Sequence, residues 1–128
     1  MNVGHSLPSD QRLRSRAAIR RLFDEGKSGF IYPVRYLWVA DRDECGEENH
    51  CEVLFTVPKK FHKRANKRNL LRRRIKESYR LQKQIIGGKS AVAHNIDLVM
   101  IYTTKEEHSY KTIDNAVRKI LENIAKDL

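Results

Sequence analysis

The hydrophobic positions near the start of the chain follow a helical period. Ile19, Leu22 and Phe23 fall on one face of this segment, as the side chains of an amphipathic helix do. Ser15 can cap the N-terminus of such a helix, and Gly26 can end it. The pattern therefore predicts a first helix between these two residues, with one face turned towards the protein core.

Alternation with a period of two predicts strands after this helix. Between residues 30 and 40, Tyr36 and Trp38 stand on the same side of the predicted strand. A second alternating run, residues 51–57, follows an acidic loop and is ended by Pro58. We expect the two runs to pair as a hairpin.

The second half of the chain predicts a helix, a strand and a further helix. Helical spacing extends over residues 66–84 and stops before two glycines. Residues 96–102 are nearly all apolar, as in a strand covered on both faces. Helical spacing returns in the last apolar set, which comprises Ile113, Ala116, Val117, Ile120, Leu121 and Ile124. The order α-β-β(-β)-α-β-α predicts a single-domain α+β sandwich over residues 1–128, with residues 1–14 as a flexible N-terminal segment.

The distribution of charge predicts that this domain binds a polyanion. The formal net charge is +10 and the sequence pI is about 9.9. Residues 59–80 contain eleven Lys or Arg and a single acid, Glu77, whereas the rest of the chain has fifteen of each sign. All of the excess positive charge therefore lies in the predicted central helix and the segment before it, as expected of a nucleic-acid-binding surface.

Other classes of protein lack support in the sequence. No run reaches the 18 or so apolar residues of a membrane span, and the N-terminus has no apolar signal-peptide core, so we expect a cytoplasmic protein without a membrane partner. Cys45 and Cys51 are interpreted as reduced thiols. The histidines are scattered, and His62 is interpreted as a solvated loop residue. We find no catalytic residues and no metal ligands.

The central basic helix divides into two faces. Leu71, Ile75 and Ser78 form a narrow stripe that can dock on a sheet. The other side carries a polar set, namely Arg68, Asn69, Arg72, Arg73, Lys76 and Arg80. A solvated face is the usual explanation of such a run, but solvated faces mix both signs of charge, and Glu77 is the only acid here. The excess of arginine favours phosphate binding and stacking on unpaired bases.

Two stretches of this region carry a family resemblance. Residues 55–60 read FTVPKK and residues 67–80 read KRNLLRRRIKESYR, and together they resemble the ribonuclease P protein component. Leu70 departs from the pattern, because the family often has a second arginine there. The resemblance implies an α+β fold with a left-handed strand-helix-strand crossover. It also implies a set of catalytic-RNA-binding residues: Lys59, Lys60, Arg64, Lys67, Arg68, Asn69, Arg72, Arg73, Lys76 and Arg80.

The resemblance further implies a cleft between the first helix and an exposed sheet face, which would bind the 5′ leader of precursor tRNA. The matching positions are Arg16, Ile19, Arg20, Phe23, Tyr36 and Trp38. Tyr36 and Trp38 fit this role if the opposite strand face packs against the helices. Phe23 fits either the cleft or a buried stripe.

As a protein subunit of ribonuclease P, the chain would help a catalytic RNA to remove the leader of precursor tRNA. The endonucleolytic hydrolysis would then come from the RNA and its bound Mg²⁺, and the protein alone would hold no cofactor. A generic ribosome-associated or RNA-chaperone module explains the charge equally well. It leaves unexplained the ordered lysine pair and Arg-Asn pair around one strand-to-helix junction. A self-sufficient nuclease would need a general base or metal ligands.

Overall fold

The structure, a computed structural model, describes residues 16–42, 50–87 and 94–128. Its elements are α1 Arg16–Glu25, β1 Lys27–Ile31, β2 Val34–Arg42, β3 His50–Thr56, α2 Ala65–Gln82, α3 Gln84–Gly87, β4 His94–Tyr102 and α4 Tyr110–Asp127. The predicted α+β order is confirmed, and three strands precede α2. The predicted capping residue Ser15, the N-terminal segment 1–14 and Cys45 lie outside the described residues.

The four strands form one sheet in the order β1-β2-β4-β3. β4 is antiparallel to β2 and parallel to β3, so α2 connects two parallel neighbours. The predicted hairpin is therefore wrong in its pairing, because β4 lies between the two alternating runs. The apolar character of β4 explains the arrangement: Leu98, Val99 and Met100 are buried, as a strand with helices on both faces requires.

The first alternating run is two strands and not one. β1 and β2 pair as a hairpin whose turn is formed by Tyr32 and Pro33, with Ile31 opposite Val34. Proline favours such a turn, since it lacks the backbone N–H that a strand interior would use. The side-chain alternation of β2 is as predicted, with Tyr36 on one face of the sheet and Leu37 on the other.

One face of the sheet is covered by α2 and α4, and the main core lies there. α4 contributes its predicted apolar stripe, and α2 contributes Leu71 and Ile75, all of them buried. The two helices are also joined by polar contacts, because Ser78 Oγ and Gln82 Nε2 donate to one Asp114 carboxylate oxygen at 2.7 and 2.8 Å. The face of α2 that was expected to dock is thus confirmed.

The opposite face of the sheet is covered only in part, by α1. Leu22 packs there with Leu37 and Val99 in a smaller cluster. The helix stops at Gly26, whose N–H donates to Leu22 O at 2.9 Å. A Cβ on Gly26 would lie 2.3 Å from that same oxygen, so the tight exit from α1 requires glycine. Because α1 is short, the remainder of this face stays open.

Candidate nucleic-acid interface

The basic helix α2 is held to the linker before it by Arg68. Its Nη1 donates to His62 O at 3.1 Å and to Lys63 O at 2.8 Å, and its side chain is half-buried. Arg68 belongs to the predicted polar face of α2, and its contact with RNA stays a prediction. Its guanidinium satisfies carbonyl groups of the linker, 57–64, which would otherwise lack partners near the start of the helix. Arg68 thus positions the linker relative to α2.

His62 is likewise a structural residue and not the solvated one expected. Its ring is buried, and its Nε2 lies 2.8 Å from Thr104 O. The ring also packs against Tyr102, with centroids 5.6 Å apart. These contacts hold the linker before α2 against the end of β4 and the segment that follows it.

The outer face of α2 keeps most of the predicted cations. Arg73 is exposed, and no carboxylate among the described residues pairs with it. Arg72 Nη1 donates to Asn69 Oδ1 at 3.0 Å, a neutral partner that leaves the positive charge uncompensated. Arg80 differs, because it pairs with Glu77 at 2.6 Å. Arg72 and Arg73 therefore offer an anion positive charge that no described carboxylate neutralises.

On one flank of α2 the cations are already paired. Lys67 and Arg74 both contact the Glu107 carboxylate, and Arg74 Nη1 also donates to His108 O at 2.6 Å. The hydrogen bond from Lys67 holds the pKa of Glu107 below its usual range, with Arg74 adding to the effect. A phosphate would have to compete with Glu107 for Lys67.

The linker supplies further cations at the edge of the sheet. Lys59, Lys60 and Arg64 are exposed, and Arg64 occupies the N-cap position of α2. Lys60 Nζ lies over the ring of Phe61, 5.0 Å from its centroid. The linker therefore presents positive charge and an aromatic ring side by side.

A cleft of about 880 Å³ opens on the sheet face that α1 leaves uncovered. It is lined by Phe23, Ser28, Gly29, Phe30, Arg35, Leu37, Pro58, Lys60, Phe61, Ile101 and Thr103. Phe23 and Phe30 are 61% and 56% exposed. Among the residues that the structure describes, the lining combines three phenylalanine rings with two cations and no carboxylate. Such a surface suits a single-stranded nucleic acid, whose bases stack on aromatic rings and whose phosphates need positive charge.

The structure separates the predicted cleft residues into two groups. Phe23 lines the cleft, Ile19 packs half-buried behind it, and α1 also exposes Arg16 and Arg20. The two remaining candidates, Tyr36 and Trp38, lie on the opposite face of the sheet.

Tyr36 and Trp38 lie beneath α4 in the main core and are 7% and 5% exposed. The Tyr36 hydroxyl accepts from Asn123 Nδ2 at 3.4 Å, while Lys27 Nζ lies 5.2 Å from the Trp38 ring centroid. The expectation that these rings form an exposed stacking platform is wrong, because their strand face is the one that the helices cover. A core tryptophan and a core tyrosine stabilise the fold instead.

Sequence reasoning missed several residues of the cleft. Arg35 immediately precedes Tyr36 on β2, and the alternation that places it on the face opposite Tyr36 was the available signal. Phe30 and Phe61 flank the open face from β1 and the linker. Their apolar side chains remain at the surface although each could have been part of the core.

A surface ion pair fixes the wall of the cleft that α1 provides. Arg21 donates from Nη1 and Nη2 to the two carboxylate oxygens of Asp41, both at 2.6 Å, and its Nε donates to Glu25 at 3.2 Å. The hydrogen bonds from Arg21 keep the pKa of Asp41 below its usual range. This bidentate contact joins α1 to β2 at the surface, next to the packing of Leu22 on the sheet.

The described part of the chain contains neither a metal-binding cluster nor a membrane-spanning helix. No group of three or more His, Cys, Asp or Glu side chains is arranged to hold a metal ion. In residues 16–42, 50–87 and 94–128, no helix combines the length and the apolar character needed to cross a membrane.

A cationic helix on one side of a four-stranded sheet and an aromatic cleft on the other define an RNA-binding protein of the α+β class. Comparison with known sequences specifies the class further. The family model described as ribonuclease P matches residues 7–125. A ribonuclease P protein component from Porphyromonas gingivalis is 29% identical over 123 residues, covering 93% of this chain and 86% of the relative. A ribonuclease P protein component from Chlorobaculum tepidum is 31% identical over 133 residues, covering 94% of this chain and 83% of the relative.

Solved structures agree with the sequence comparisons. The RNase P protein from Thermotoga maritima superposes with a TM-score of 0.67 at 25% identity, covering 88% of this chain and 96% of that one. The RNase P protein from Staphylococcus aureus shares the fold with a TM-score of 0.66 at 22% identity, covering 91% of this chain and 95% of that one. The chain belongs to the ribonuclease P protein family.

Proposed function

We propose that this chain, as the protein subunit of ribonuclease P, binds the catalytic RNA through α2 and its linker and binds the 5′ leader of precursor tRNA in the cleft. Holding both RNAs at once would promote endonucleolytic removal of the leader and give the mature 5′ end. The subunit would work in the cytoplasm on precursor tRNA.

The catalytic RNA is assigned to the cationic side of the molecule. The exposed or half-buried contacts are Lys59, Arg64, Asn69, Arg72, Arg73, Lys76 and Arg80. Within α2, Arg72 and Arg73 are the arginines of this set that no described carboxylate pairs with, whereas Arg80 pairs with Glu77. Lys67 would join after release from Glu107, and Arg68 would act by holding the linker.

The leader is assigned to the open sheet face. Phe23, Phe30 and Phe61 offer rings on which successive bases can stack, and such stacking needs no particular sequence. Arg35 and Lys60 supply charge for the phosphates between those bases. A subunit that must accept many precursors with different leaders benefits from contacts of this kind.

The hydrolysis itself is assigned to the catalytic RNA with its bound Mg²⁺, which supplies metal-assisted attack on the phosphodiester. The residues described above supply binding and orientation: they hold the leader extended and neutralise phosphates as the two RNAs approach. This division of roles explains why the chain is rich in arginine and lysine and exposes phenylalanine side chains.

The observation that carries the proposal is the position of Lys60. It lines the aromatic cleft and belongs to the linker that leads into α2. The cationic surface and the cleft are therefore continuous around the edge of the sheet. A general RNA chaperone needs positive charge, but it does not need two different RNA surfaces joined by one short segment.

Reconstitution with the cognate catalytic RNA tests the proposal. End-labelled precursor tRNA should be cleaved at the mature 5′ end fastest when both components are present, and protein alone should leave it intact. Binding by the reconstituted enzyme should also favour precursor over mature tRNA. Cleavage unchanged by the protein, with equal affinity for the two tRNAs, would contradict it.

A further inference from the structure

An exposed tyrosine lies next to the cleft but outside its lining. Tyr32, in the turn between β1 and β2, is 51% exposed. Its ring packs edge-on against Phe30, with centroids 6.2 Å apart, and against His108, with centroids 5.2 Å apart. Since Phe30 lines the cleft, Tyr32 continues the aromatic surface beyond it.

The hydroxyl of Tyr32 is fixed by a segment distant in the sequence. It lies 3.2 Å from Thr104 Oγ1 and 3.1 Å from His108 Nε2, and it donates more weakly to Glu106 Oε2 at 3.5 Å. The segment 103–109 thus surrounds the hydroxyl while half of the side-chain surface remains open to solvent.

That segment is itself held in place. The Tyr102 hydroxyl donates to Glu106 O at 2.6 Å and accepts from the His108 N–H at 3.0 Å. Thr103 N donates to Pro33 O at 3.0 Å, which ties the segment to the turn that carries Tyr32. The ring of Tyr32 is therefore fixed before any ligand arrives, and a fixed side chain loses little conformational entropy on binding.

We infer that Tyr32 is a stacking platform for a nucleotide of the single-stranded leader where the leader leaves the cleft beyond Phe30. The inference rests on the proposed assignment of the leader to the cleft. A base is the expected ligand and not a phosphate, because the exposed carboxylate of Glu106 lies beside the hydroxyl and would repel an anion. A fixed, half-exposed aromatic ring offers what an unpaired base binds.

A series of precursors whose leaders grow one nucleotide at a time tests this platform. With the wild-type holoenzyme, affinity should rise when the leader becomes long enough to reach Tyr32. Tyr32→Ala should remove that increment, a loss of about 5- to 150-fold, the range that stacking of one base gives. Shorter leaders and mature tRNA should bind as they do to the wild type.

Two further variants separate the possible explanations. Tyr110→Ala removes a tyrosine that is 36% exposed at the start of α4, outside the cleft, and should keep the full increment. Tyr32→Phe keeps the ring but loses the hydroxyl contacts, and should keep part of it. If Tyr32→Ala weakens all leader lengths alike, or leaves the increment intact, the platform is refuted.

The cleft assignment has a separate readout in the same series. Phe23→Ala should weaken binding of the shorter leaders too, because Phe23 lines the cleft. If Phe23→Ala changes no leader affinity while Tyr32→Ala removes the increment, Tyr32 contacts the leader, but the assignment of the leader to the cleft fails and with it the position of Tyr32 at the cleft exit. If the reverse holds, the platform fails and the cleft assignment survives.

Discussion

The contrast between an exposed and a buried aromatic residue gives the sharpest test of the cleft. Phe23 is 61% exposed and lines it, whereas Trp38 is 5% exposed beneath α4. Phe23→Ala should lower affinity for leader-bearing precursor tRNA by about 1 to 3 kcal/mol, the usual value of stacking one base. It should change the free energy of unfolding by only about 0.5 kcal/mol, as exposed positions do.

Trp38→Ala should give the opposite result. Removing a buried aromatic side chain typically costs about 3 to 5 kcal/mol of the free energy of unfolding. That is a large share of the roughly 5 to 15 kcal/mol that stabilises an ordinary domain. Any loss of binding by this variant should therefore affect precursor and mature tRNA alike, in proportion to the fraction that is unfolded.

Two measurements decide between these outcomes. Urea denaturation of the free protein gives the stabilities, and Trp38, the only tryptophan in the chain, reports unfolding of the wild type and of Phe23→Ala by fluorescence. Circular dichroism serves for Trp38→Ala. Titration of each holoenzyme with precursor and mature tRNA gives the affinities. A stable Trp38→Ala variant with a selective loss of leader binding would refute the assignment of the two sheet faces.

Three other changes test the remaining surfaces. Arg21→Asp or Asp41→Arg alone should reduce leader affinity while costing less than about 1 kcal/mol of stability. The double exchange should restore leader affinity, which titration with precursor tRNA measures. Arg73→Ala should weaken catalytic-RNA binding and lower the slope of log affinity against log salt by about 0.7 to 0.9; an unchanged slope would remove Arg73 from the interface. Burial raises the pKa of the Cys51 thiol to about 12, so in a variant lacking Cys45 it should resist alkylation at neutral pH until the protein unfolds. Because the folded pKa exceeds the ordinary value, this thiol's contribution to stability is present below about pH 9 and is lost as the pH rises towards 12.

Much of the fold could be predicted from periodicity alone. The apolar stripe of α4 and the docking residues of α2 are buried as expected, since helical spacing directly specifies which side chains share a face. Strand pairing could not be predicted in this way. Alternation in residues 51–57 shows two faces of a strand but not its neighbour, and the parallel partner β4 is distant in the sequence. The left-handed sense of the crossover stays a prediction from the family resemblance.

The candidate site, too, could be predicted only in part from the sequence. The cations of α2 follow from charge counting, because their number exceeds what nearby acids can neutralise. The cleft beside the first helix was implied by the family resemblance, but its β2 lining could not be predicted, since alternation places Tyr36 and Arg35 on opposite faces without saying which face the helices cover. The backbone contacts of Arg68 could not be predicted for a related reason: a cation half-buried against backbone carbonyls looks, in the sequence, like its solvated neighbours.

The position of β4 has a consequence for synthesis on the ribosome. This strand lies inside the sheet, yet all of β1, β2 and β3 are made before it. Until residues 94–102 emerge, the nascent chain has no strand to bridge β2 and β3, and the backbone edges of both remain open. Contacts between distant segments are slow to form, and unpaired edges favour aggregation. A ribosome that stalls before β4 therefore exposes a strongly cationic chain that cannot yet close its sheet, beside an abundant RNA surface.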